Sequence, residues 1–118
     1  MKIKPLGLLN QGKLVEYSGD FPIDTIDSLR EFGRVNSGSI LIFDDEGAEY
    51  LDGLLKGFSN IILNPRKFIS RYLYHGDTLA VASLEEALSL CPEDKEIYVL
   101  AGEKLFKDAL DYNLRAGR

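Results

Sequence analysis

The run Ser39-Ile40-Leu41-Ile42-Phe43 narrows most what this chain can become. Four consecutive large apolar residues, bounded by Gly38 and Asp44, leave no polar face to turn to water. A strand of that kind is buried on both faces, as in a parallel sheet covered by helices. Glu46 to Lys56 follows, with Tyr50, Leu51, Leu54 and Leu55 on one helical face and Gly57 as a stop. A buried strand leading into an amphipathic helix is the repeating unit of an α/β fold.

The unit recurs. Ile3 to Leu9 reads as a buried strand closed by the turn residues Asn10-Gln11-Gly12, with Lys13 to Tyr17 as a possible second extended piece. Ile26, Leu29 and Phe32 recur at helical spacing, with Asp24 or Thr25 to cap the start and Gly33 to end the helix or begin an irregular exit. Asn60 to Leu63 and Thr78 to Val81 are strands, and Pro65 to Tyr74 reads as a short helix or irregular chain. Ser83-Leu84-Glu85-Glu86 is a capping box, opening a helix that runs to about Leu90, before Pro92. Glu96 to Leu100 is a fifth strand; Gly102 starts a last helix with Leu105, Phe106, Ala109 and Leu110 inward. This order predicts a three-layer α/β fold: a mainly parallel sheet of about five strands, helices on both faces, right-handed crossovers.

Composition bounds the function. The 118 residues suit one domain, 1–118, and 45% hydrophobic residues supply one core. A net charge of -5 argues against nucleic-acid partners, which need a basic surface. No apolar run reaches the roughly 20 residues that span a bilayer, so no membrane partner is expected. The start Met1-Lys2-Ile3-Lys4-Pro5 lacks a signal-peptide pattern, and Cys91 is the single cysteine. Both fit a cytoplasmic protein.

Three blocks then suggest kinship. Ser59-Asn60-Ile61-Ile62-Leu63, Val81-Ala82-Ser83-Leu84-Glu85-Glu86-Ala87-Leu88 and Glu96-Ile97-Tyr98-Val99-Leu100-Ala101-Gly102-Glu103-Lys104-Leu105-Phe106 resemble, in order and spacing, consecutive blocks of dihydrofolate reductase. The reductase domain of riboflavin biosynthesis has similar ones. Ile3 to Asn10, Asp20-Phe21-Pro22, Ser28 to Phe32 and Ser39 to Phe43 extend the likeness over nearly the whole chain. The resemblance implies a shortened version of that fold, and a crevice surrounded by Ile3, Leu8, Phe21, Asp27, Ser28, Phe32, Asp44, Ala101, Gly102, Glu103 and Phe106. Arg66, after Asn64-Pro65, sits where the family meets the adenosine end of its cofactor. There it could hold a phosphate by bidentate bonding, or be a solvated arginine.

The departures carry as much information. Where the family places an acid on its substrate helix, the ungapped register gives Ser28, with Asp27 one step and about 100° away. Where the family grips cofactor phosphates with a basic turn, this chain reads Asp44-Asp45-Glu46-Gly47, which repels phosphate. Asp44 could bind ribose hydroxyls or simply cap the next helix. Gly102 could open a phosphate or carboxylate site or be a tight turn, and Glu103 would compete with an anion there. The solitary His75 offers no metal set, and Cys91 has no basic neighbour to activate it. The chain stops soon after the last helix, whereas the family adds strands beside its first. Residues 1–10 are thus expected near an edge, where a homo-oligomer could form.

Three functions are open on these residues. The favoured one is a non-catalytic pseudoenzyme that binds or sequesters a small, nucleotide-like ligand. A minimal pterin reductase would use NADPH or NADH, with Asp27 or Ser28 in the catalytic position. A structural or assembly protein would use the first-strand edge.

Overall fold

The computed structural model describes residues 3–11, 13–17, 25–51, 58–63 and 78–116. The strands are β1 (Ile3–Asn10), β2 (Lys13–Tyr17), β3 (Ile40–Phe43), β4 (Ser59–Leu63), β5 (Thr78–Val81) and β6 (Ile97–Ala101). The described helices are α1 (Ile26–Val35), α2 (Asp45–Leu51), α3 (Leu84–Ser89) and α4 (Glu103–Ala116). None is long and apolar enough to cross a membrane.

The most apolar strands take the interior of the sheet. Its order is β2-β1-β6-β3-β4-β5, parallel throughout except for the β1–β2 pair. Alternate residues of each strand feed two cores. Ile40, Ile42, Val99 and Ala101 meet Leu84, Leu88, Leu105 and Ala109 of α3 and α4. Leu41, Phe43, Tyr98 and Leu100 meet Leu29, Phe32, Ala48 and Leu51 of α1 and α2. Covering both faces is what these strands require, and each fully buried Leu or Ile contributes about 1.5–3 kcal/mol.

The connections explain the layers. Steps from β1 to β3 and from β3 to β4 move one way across the sheet, through α1 and α2 on one face. The step from β5 to β6 returns through α3 on the other face. Opposite directions on opposite faces are what one crossover hand demands. β3 and β6 are therefore adjacent parallel strands whose following helices leave to opposite sides. Such a switch point opens a crevice at the carboxyl ends of the strands.

Several expectations need correction. The sheet has six strands, because Lys13–Tyr17 folds back on β1 as an antiparallel hairpin turning at Gln11, whose φ is 52°. β1 is thus second from the edge and β2 covers only its Gly7–Asn10 half; Ile3 to Leu6 have no described strand on that side, so the expected edge position holds for the first half of the strand alone. The outermost strand on that side, β2, carries Val15 as an extra residue between the Leu8–Glu16 and Leu9–Leu14 pairs. A bulge of that kind twists an edge away from further pairing. β1 also has one more residue than β6 between the Pro5–Val99 and Gly7–Leu100 pairs, which lets Leu6 and Leu9, three apart, face the same core.

Gly33 does not end α1. The helix runs on to Val35, and Asn36 closes it by donating both its backbone N–H and its side-chain Nδ2 to the Phe32 carbonyl. Leu110, expected inward, is 40% exposed. The helix expected over 46–56 is described only to Leu51; residues 52–57 and 64–77, with Pro65 to Tyr74 and His75, lie outside the described residues. At α3 the Ser83 hydroxyl accepts the Glu86 N–H as a capping box requires, while Glu86 reaches one residue further back, to the Ala82 N–H.

Candidate functional site at the carboxyl ends of β3 and β6

Asp44 and Gly102 meet at the switch point. The carboxylate of Asp44 works in two directions: Oδ1 accepts the Gly47 N–H at 3.0 Å, capping α2, and Oδ2 accepts the Gly102 N–H at 3.0 Å, across the sheet. The helix-cap expectation for Asp44 thus holds, and the same side chain fastens β3 to the head of α4. A cap of this type is worth about 1 kcal/mol. The amide that would greet an anion beside β6 is already engaged by a carboxylate.

Two glycines let the elements close in. A Cβ on Gly47 would lie 2.5 Å from the Leu100 carbonyl oxygen and 2.8 Å from Phe43 Cβ, so α2 lies hard against β6 only because that position is glycine. A Cβ on Gly102 would lie 3.1 Å from Glu46 Oε2 and 3.3 Å from Asp44 Oδ2. Glu46 therefore rests its carboxyl over bare backbone. Among the described residues its Oε2 is buried and has no hydrogen-bond partner. Burial first, then the Asp44 and Glu49 carboxylates, push the Glu46 carboxyl above the usual glutamate range.

Two clefts flank this point, and Glu46 lines both. The first, of about 410 Å³, lies between the ends of β1 and β2 and the start of α4; Leu8, Leu9, Val15, Phe106 and Leu110 form its apolar wall, with Glu103 and Lys107 beside them. The second, of about 500 Å³, lies toward α3 and gathers Asp44, Asp45, Glu85 and Asp108 around Lys104. Both are poor places for a phosphate: the second by its charge, the first because Lys107 is paired with Glu103 at 3.3 Å. Among the described residues, no three His, Cys, Asp or Glu side chains form a group that could hold a metal.

The structure sorts the expected residues. Leu8, Asp44, Gly102, Glu103 and Phe106 come together at the rim. Ala101 pairs with Leu8 but is wholly buried, its side chain in the core. Ile3 pairs with Ile97 at the opposite end of β6, away from the crevice. Phe32 is a core residue, stacked on Phe58 at 6.0 Å and edge-on to Tyr98 at 5.0 Å between ring centres. Ser28 is a capping residue: its hydroxyl accepts the Thr25 N–H, and its own N–H goes to Thr25 Oγ1. Asp27 is 95% exposed and lies 3.6 Å from Arg30, so it stands in solvent. Phe21 and Arg66 lie outside the described residues.

Sequence reading missed Glu46 as a site residue, along with Leu9, Val15, Lys107 and Leu110. Glu46 was visible only as one carboxylate of an acidic turn; its burial depends on Gly102 being across the rim. No protein-family model matches the chain, and no curated protein matches it.

Proposed function

We propose that this chain is a non-catalytic binding protein on a fold resembling shortened dihydrofolate reductase. Its ligand is a small, nucleoside-like molecule without phosphate, held in the cleft of Leu8, Val15, Phe106 and Leu110. One observation carries the reading: Asp44 occupies the Gly102 amide at the switch point. A carboxylate fills the place where the family it resembles binds an anion, while the apolar wall beside it stays open. Two further features support it. Each block that carries the resemblance lies on the kind of element it implies: β4, β5 into α3, and β6 into α4. The residues at the family's acid position serve as a helix cap and a solvent-exposed carboxylate, which leaves no placed proton donor there.

Ligand-induced thermal stabilisation tests this. Adenosine and other nucleosides should raise the melting temperature, while NADPH, NADH and ADP-ribose should not. Loss of reduced-nicotinamide absorbance with dihydrofolate would establish a working reductase instead. No stabilisation by any of these compounds, with a stable oligomer in solution, would leave the assembly role.

A further inference from the structure

We propose that Glu46 is a proton-controlled partition of the crevice: protonated, its carboxyl stays seated over Gly102 and keeps the two clefts apart; ionised, it leaves that seat and the clefts join. The seat is built for a carboxyl group. Gly102 makes room for it, since a Cβ there would already crowd Glu46 Oε2 at 3.1 Å. The seat is not built for a charge. Among the described residues Oε2 is buried with no donor, and the Gly47 and Gly102 N–H groups beside it are taken by the two oxygens of Asp44. Asp44 Oδ2 and Glu46 Oε2 both lie within 3.3 Å of the same point above Gly102. A proton on Glu46 turns that repulsion into an O–H donor facing a carboxylate.

The surroundings reinforce the direction. Glu49 of its own helix and Asp44, just before that helix, act on Glu46 as like charges, and Asp45 lines the cleft toward α3 with it. From α4, Glu103 and Lys107 share one cleft with it, and Lys104 and Asp108 the other; α3 adds Glu85. In the cleft toward α3, four carboxylates besides Glu46 face the single Lys104; in the other, one carboxylate faces one lysine, and that Lys107 is held by Glu103. Because Glu46 is the wall common to both clefts, its departure changes the size of the cavity a ligand meets. The inference concerns the same site as the ligand reading but stands without it, because its test uses no native ligand.

The experiment follows the Glu46 carboxyl carbon by NMR against pH, and Nile red fluorescence over the same range. Glu46 should titrate above the ordinary glutamate range, and dye binding to the wild-type protein should rise through that midpoint. In Glu46→Gln the amide keeps a donor toward Asp44, so dye binding should stay low at every pH; in Glu46→Ala it should stay high. Linkage gives an independent arm. A carboxyl raised in the folded state costs nothing below its unfolded value, then lowers stability as pH climbs through its folded one. In urea titrations the wild type should therefore lose stability relative to Glu46→Gln across that interval. A Glu46 midpoint at or below the ordinary range, or identical pH profiles for wild type and Glu46→Gln, would overturn the proposal.

Discussion

The side-chain amide of Asn113 completes the backbone of Ile3, 110 residues away: Oδ1 accepts the Ile3 N–H at 2.9 Å and Nδ2 donates to the Ile3 carbonyl at 2.6 Å. The reason lies in strand lengths. β2 pairs with β1 only from Gly7 to Asn10, so the start of β1 has β6 on one side and no described strand on the other. Asn113, projecting from α4, supplies one donor and one acceptor where a neighbouring strand would. It also ties the last helix to the first strand.

Asn113→Ala should therefore cost more than a surface substitution. Two partly buried backbone groups lose their partners, and each is worth about 1 kcal/mol or somewhat more. A loss of about 1–3 kcal/mol in urea unfolding is expected, with Asn113→Asp no better because a carboxylate repels the Ile3 carbonyl. A change under about 0.5 kcal/mol would show that water replaces the amide freely.

Gly47 and Gly102 should respond unequally to alanine. At Gly47 the new methyl meets backbone, 2.5 Å from the Leu100 oxygen, and the helix must move off the sheet. Helix propensity favours alanine by about 1 kcal/mol, but overpacking costs about 1–3 kcal/mol or more, so the net change is destabilising. At Gly102 the new methyl meets the ends of two side chains, Glu46 and Asp44, which can swing aside. Gly102→Ala should cost less in unfolding experiments; the opposite ranking would contradict the packing described for α2 on β6.

How much of this was legible in the residues follows from where each signal resides. β3, β4 and β6 announce themselves because continuous apolar side chains have nowhere to go except between layers. α3 is readable from Ser83 and Glu86 alone, since capping is local. That residues 44 and 102 share a crevice is implied by the resemblance, and the adjacency of β3 and β6 is what brings them together. The hairpin partner of β1 is harder to read, because Lys13–Tyr17 mixes polar and apolar residues as an edge strand can. Gly33 misleads because Asn36, three residues on, supplies the cap. Ser28 reads as a substituted acid until its hydroxyl is seen bonding to Thr25. Glu46 is the hardest, since nothing within its own helix buries it; that takes the backbone of Gly102, 56 positions later.

Asp44→Ala offers a test of the filled crevice. Removing the carboxylate uncaps α2 and frees the Gly102 N–H, for a loss of about 1–3 kcal/mol in stability. It also removes a negative charge from the head of α4, where amide groups favour anions. The variant should thus gain what the wild type lacks: thermal stabilisation by inorganic phosphate or ADP-ribose that weakens with added salt. If neither anion discriminates between variant and wild type, Asp44 is not what keeps phosphate out.

Cys91 can report on the short helix that shields it. The residue is 8% exposed, and its thiol donates to the Ala87 carbonyl at 3.2 Å and is pushed by burial toward a higher pKa. Alkylation needs an accessible thiolate, so the native protein must first open around α3. That helix has only six residues and holds Leu84, Ala87 and Leu88 against the sheet, with Ser83 as its cap. Labelling by iodoacetamide should be far slower in the native than in the unfolded chain, by about tenfold for each 1.4 kcal/mol of opening free energy. Ser83→Ala should speed it by about fivefold to thirtyfold, the effect of removing roughly 1–2 kcal/mol of capping. Equal rates for Ser83→Ala and wild type would mean that Cys91 becomes accessible through an opening that leaves the Ser83 cap intact, such as a movement of α4, rather than by fraying of α3.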